Sequence, residues 1–200
     1  MTDDTPDDAF PQSHLIRSLK GQIDELMLQL NLGKHEAIDL VEQQKGELRS
    51  VVEKVRASLG DGQAAQALRR TLDELQLQLA LGRMESRDAL AEQRGHIHQA
   101  VDAVKRETGA IEGDLRHALE TGADKLLTKL DALALELGIG KTVVEDKLIL
   151  EKDKVKADLE QLRHKIQPAI EETGDAIERL GHEAKSAFDD IRKSLRSLFD

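Results

Sequence analysis

Two hundred residues carry 39 acidic and 29 basic side chains, a formal charge of −10, with three Phe and no Trp, Tyr or Cys. This composition excludes a core built on aromatic rings, disulfide or thiolate chemistry, and a domain-scale basic surface for nucleic acid. What remains is a Leu, Ile, Val and Ala inventory within a chain that is 34% charged, the signature of long helices and coiled coils.

The first residues, with Asp3, Asp4, Asp7, Asp8, Pro6 and Pro11, predict a disordered acidic tail over 1–12. They have neither the basic flank nor the apolar run of a secretion signal. No window approaches the roughly eighteen uninterrupted apolar residues of a membrane span. A cytoplasmic protein is the expectation.

From about Ser13 a helical pattern begins and runs nearly to Phe199. A twelve-residue phrase opens three stretches of it: IDELMLQLNLGK (23–34), LDELQLQLALGR (72–83) and LDALALELGIGK (130–141). In the second stretch the apolar stripe is Leu72, Leu75, Leu79, Gly82, Ser86, Leu90, Gln93, Ile97, Val101, Val104 and Thr108. Its ten steps average 3.6 residues, the pitch of a straight α-helix. Subtracting 49 gives the stripe from Ile23 to Leu59, and adding 58 gives the stripe from Leu130 to Ile166.

Leu26, Leu28, Leu30 and Leu32 alternate strictly, as do Leu75, Leu77, Leu79 and Leu81, which is also a strand signal. The helical reading is preferred because these segments are Leu-rich rather than β-branched and no turn residues separate them from the stripe. In a helix such leucines face two opposite ways, and the segment packs between two partners. Breaks are read at Gly60-Asp61-Gly62, with Asp61 as a capping candidate, at Glu107-Thr108-Gly109 and at Pro168. The predicted helices are 13–59, 63–108, 110–167 and 169–199, the third running through Gly122. A helix of about 45 residues would span nearly 70 Å. Glycine inside a helix costs about 1 kcal/mol relative to alanine. Gly82 and Gly140, each 29 residues from Ile111, are therefore expected to sit level at a close crossing of antiparallel helices.

Gly138-Ile139-Gly140-Lys141-Thr142 ends like a phosphate-binding loop, but that motif needs glycine where Leu135 stands. The other copies carry Gly33-Lys34 and Gly82-Arg83, so the glycine and its basic neighbour belong to the repeat. Of the seven histidines, His96 and His98 flank Ile97 on different faces, and Glu160 with His164 has metal-ligand spacing that no second such pair matches at an equivalent repeat position. The scattered serines have no strand–turn–helix setting. No catalytic, cofactor-binding or metal-binding residue is assigned, and no enzyme is expected.

In the last helix Ile177, Leu180, Ala184, Phe188, Ile191, Leu195 and Leu198 form a stripe beside Lys185, Arg192, Lys193 and Arg196. Over 177–199 such a helix can lie on a membrane or other apolar surface. The preferred reading is that it folds back over the molecule or binds another copy, since Glu183, Asp189 and Asp190 dilute its charge.

Leu130–Phe199, closing with Glu183-Ala184-Lys185-Ser186-Ala187-Phe188-Asp189-Asp190-Ile191, resembles small bacterial coiled-coil proteins linked to stress responses, without the Trp common in their closing helix. The repeated amphipathic pattern is similar to apolipoproteins and to granule-coating phasins. Together these readings predict an all-α, elongated antiparallel bundle or coiled coil of three long helices plus a shorter closing one. The expected function is non-catalytic helix–helix interaction with homo-oligomerisation. An amphipathic coat on lipid or a hydrophobic polymer is the alternative.

Overall fold

The computed structural model describes residues 11–82, 86–111, 113–138, 145–170 and 175–199. Every regular element among them is helical: α1 (Pro11–Gln29), α2 (Lys34–Ser58), α3 (Gln63–Ala80), α4 (Arg87–Glu107), α5 (Asp114–Glu136), α6 (Glu145–Ile166) and α7 (Asp175–Ser197). Short 3-10 turns cover Thr108–Ala110 and Pro168–Ile170. The predicted tail falls mostly on 1–10, outside the described residues, and α1 already includes Pro11 and Gln12.

The three long helices of the sequence reading do not exist as single rods. Each twelve-residue phrase ends a helix, at Gln29, Ala80 and Glu136, within two residues of the same repeat position. The causes are local. Asn31 donates from Nδ2 to the Met27 carbonyl at 2.8 Å, satisfying an orphan acceptor at the end of α1. At the end of α5, Gly138 takes φ 63°, a left-handed conformation that favours glycine, and its N–H reaches the Leu135 carbonyl at 3.1 Å. On the far side of the second break, Ser86 accepts from the Ala89 N–H at 3.1 Å and caps α4. The stripe still predicts burial on both sides of each break: Leu79 and Leu90 are buried, while Gly82 and Ser86 between them are exposed.

The expected turns at Gly60–Gly62, after Glu107 and at Pro168 all separate helices. The cap of α3 is Gly62 rather than Asp61, which instead lies 3.7 Å from Arg69. Gly122 is passed without interruption by α5.

The chain divides into two compact units. Unit 2, residues 32–140, is a ring in which α2 packs on α3 and α5, and α4 packs on α3 and α5. The predicted rod over 63–108 is thus a pair of helices lying against each other. Leu48, Val52, Leu68, Leu72, Leu75, Ile97, Val101, Leu126, Leu130 and Leu133 are buried within it. Each such side chain contributes about 1.5–3 kcal/mol on leaving water.

Unit 1 joins residues 1–31 to 141–200, and in it α1, α6 and α7 pack on one another. The stripe of α7 is turned inward, with Ile177, Ala184, Phe188, Ile191 and Leu195 buried and Leu180 and Leu198 half-buried.

The expected crossing of Gly82 with Gly140 falls in part outside the described residues. Gly82 lies between helices, where an added Cβ would meet nothing within 4 Å, and Gly140 lies outside the described residues. Close approach occurs at two other glycines. A Cβ on Gly122 would come within 3.2 Å of Leu48 Cδ1, where α5 meets α2, and one on Gly181 within 3.3 Å of Leu15 Cδ2, where α7 meets α1.

Candidate functional site

Several of the polar groups that unit 2 buries lie on the two flanks of α5. Toward α2, Lys129 Nζ donates to Gln44 Oε1 at 3.0 Å. Toward α4, Asp131 accepts on one oxygen, Oδ1, from Arg94 Nε at 2.6 Å and from His98 Nε2 at 3.0 Å. A carboxylate bonded to a guanidinium is acceptor-only, so the Nε2 of His98 carries the proton of this bond. His98 Nδ1 is buried and finds no hydrogen-bond partner among the described residues. About two turns along, Lys105 of α4 pairs with Asp124 of α5. These contacts run α4 and α5 antiparallel and pin their register.

A third buried cation stands nearby in the sequence pattern. Lys45, the residue equivalent to Arg94 one repeat earlier, is wholly buried. Its Nζ donates to Glu42 Oε1 at 3.0 Å and to the Leu81 carbonyl at 2.8 Å, so α2 holds the chain where it leaves α3. Carboxylate, amide and carbonyl partners offset the desolvation these cations incur on burial.

Sequence reasoning placed Gln44 and Gln93 on the buried stripe, and both are buried. It did not single out Lys45, Arg94, Lys129 or Asp131. The available signal was the Gln-basic pair repeated at 44–45 and 93–94, beside the stripe in both copies.

Of the histidines weighed as ligands, His98 is buried against Asp131 whereas His96 is exposed. Glu160 and His164 both lie exposed on α6. Among the described residues no three His, Cys, Asp or Glu side chains gather as a metal-binding set. The loop-like run begins at Gly138 in the turn just after α5, and its remaining residues, 139–142, lie outside the described residues. No helix among the described residues is long and apolar enough to cross a membrane.

Unit 1 has an open groove of about 420 Å³ between α6 and α7, lined by Asp158, Gln161, Leu162, Lys165, Ala187, Asp190, Ile191 and Ser194. Lys165 at its edge reaches Glu183 at 3.1 Å. Comparison with protein-family models, with curated proteins and with solved structures gives no match.

The distinguishing geometry of the molecule is the treatment of one repeated leucine. Leu28, Leu77 and Leu135 hold the same position in the three phrases. Leu135 is 3% exposed, in a stretch of α5 whose residues 131–135 are all buried, whereas Leu28 and Leu77 are 55% and 56% exposed. Leu81, Ile149 and Leu150 are large apolar side chains also left at the surface.

Proposed function

We propose that this chain is a non-catalytic structural and interaction protein that works by helix–helix packing and forms homo-oligomers, in the cytoplasm. The contrast between Leu135 and its exposed equivalents supports this reading. A phrase with two apolar faces is buried on both where two helices flank it. At Leu28 and Leu77 the second face is left exposed by the described helices of its own unit. Each such leucine gains about 1.5–3 kcal/mol if another helix covers it. The resemblance of 130–199 to bacterial coiled-coil proteins agrees with this.

The test is molar mass by sedimentation and light scattering across a hundredfold range of concentration. A mass that rises with concentration, and that Leu77→Glu lowers toward one chain with circular dichroism unchanged, supports the reading. A single-chain mass throughout overturns it.

The coat reading would place 177–199 on lipid or a hydrophobic polymer. It requires α7 to leave α1 and α6, since its apolar stripe is buried against them. Flotation of the protein with anionic vesicles would favour the coat and displace the assembly reading.

A further inference from the structure

Two interhelical ion pairs, one in each unit, use the same two repeat positions. In unit 2, Arg56 of α2 reaches Asp73 of α3 at 2.8 Å. In unit 1, Arg163 of α6 reaches Asp24 of α1 at 3.1 Å. Adding 107 to Arg56 gives Arg163, and adding 49 to Asp24 gives Asp73. The helix at the end of one repeat thus receives the phrase helix of another in the same antiparallel register. A second contact repeats this register seven residues away along both segments, where Lys156 Nζ of α6 donates to Asn31 Oδ1 just past the end of α1 at 2.7 Å.

The two cases differ in connection. α2 and α3 are consecutive and joined by residues 59–62, so their pairing is a local event. α6 is followed in sequence by α7, which carries no copy of the phrase, and it takes α1, the helix of the first copy. α1 is tied to α2 only through residues 30–33, a short non-helical link. Nothing in the α1–α6 contact requires that both helices come from one molecule. Exchange would preserve every bond and change only the effective concentration of the incoming helix.

From this we infer that α1 is an exchangeable helix. The α1 of a second copy takes the seat on α6, pairing its Asp24 with Arg163 and its Asn31 with Lys156 across molecules. The seat includes α7, where Gly181 leaves room for Leu15 and Ile16. This rests on the self-association reading for the presence of a second copy and names the contact that joins the copies.

The absence of cysteine makes the test specific. Met27 lies on α1 between Asp24 and the Asn31 that follows the helix, and Glu160 lies between Lys156 and Arg163 on α6, so the two positions are level. Full-length chains carrying Met27→Cys alone and Glu160→Cys alone are mixed and treated with a flexible bis-maleimide. A chain carrying both substitutions reports linkage within one molecule. Exchange yields a covalent 27–160 product between the two chains, increasing with concentration. Placing Asp24→Arg in the first chain and Arg163→Asp in the second makes the charges repel within each chain and attract between them. The product should then rise about two- to fivefold, the range of an exposed ion pair. If the double-cysteine chain links only to itself and the mixture gives no 27–160 product, exchange is overturned. A mass that still grows with concentration would then leave self-association standing by another contact, whereas a constant single-chain mass would remove both.

Discussion

Asp131 and Asp73 occupy the same place in two copies of the phrase, yet replacing them should have very different consequences. Asp131 is 4% exposed, and its Oδ1 serves both Arg94 and His98. Asp131→Ala leaves the Arg94 guanidinium buried without its carboxylate, a loss of about 3–5 kcal/mol for a buried pair broken on one side. Asp73 pairs with Arg56 where the two side chains are 55% and 40% exposed. Water replaces that contact readily, so Asp73→Ala should cost no more than about 1 kcal/mol. Against a domain stability of roughly 5–15 kcal/mol, the first loss is severe and the second minor. A third variant separates the charge from the packing: Arg94→Met with Asp131→Leu removes both partners and should fall within about 2 kcal/mol of the parent, or exceed it. The assay is urea denaturation followed by far-ultraviolet circular dichroism, because the chain has no Trp or Tyr for fluorescence. Equal losses at Asp131 and Asp73, or a double variant no better than Asp131→Ala, would refute the reasoning.

Other substitutions probe the packing more simply. Gly46 and Gly95 lie inside α2 and α4 with nothing within 4 Å of an added Cβ, so Gly46→Ala and Gly95→Ala should each raise stability by about 0.5–1 kcal/mol in thermal unfolding. Gly181→Leu fills the space held by Leu15 and Ile16 and should cost about 1–3 kcal/mol, with α1 becoming the first site of limited proteolysis. Lys45→Met keeps the buried stem but loses the charged bonds to Glu42 and the Leu81 carbonyl. A loss of about 1.5–3 kcal/mol is expected, with faster amide exchange near the end of α3.

The buried stripe was the most legible feature of the chain. From Ile23 to Leu59 every predicted member is buried except Gly33, and from Val155 to Ile166 all four predicted members are buried. Periodicity nevertheless ran straight across the breaks at 30–33 and 81–86. Helices on both sides bury the same repeat positions, so the spacing holds while the backbone turns. The local signals were present in Asn31, Gly82, Ser86 and Gly138. Reading Gly82 as a crossing rather than an end concealed the second break. Gly122 and Gly181, at real close approaches, look no different in the sequence from Gly46 and Gly95.

What the amino-acid order alone determined is which side of each helix leaves water, because amphipathic spacing is a property of neighbouring residues. It also determined the stops at Gly60–Gly62 and Pro168, where backbone freedom or a missing donor acts within a few residues. Only the tertiary structure decided that α1 completes a group with α6 and α7, and that Leu135 and Asp131 are enclosed while Leu28, Leu77 and Asp73 face solvent. Burial of a second face, and the energy of a charge placed there, depend on how many other helices lie alongside. That number is set by partners distant in the chain, so identical phrases reach different environments.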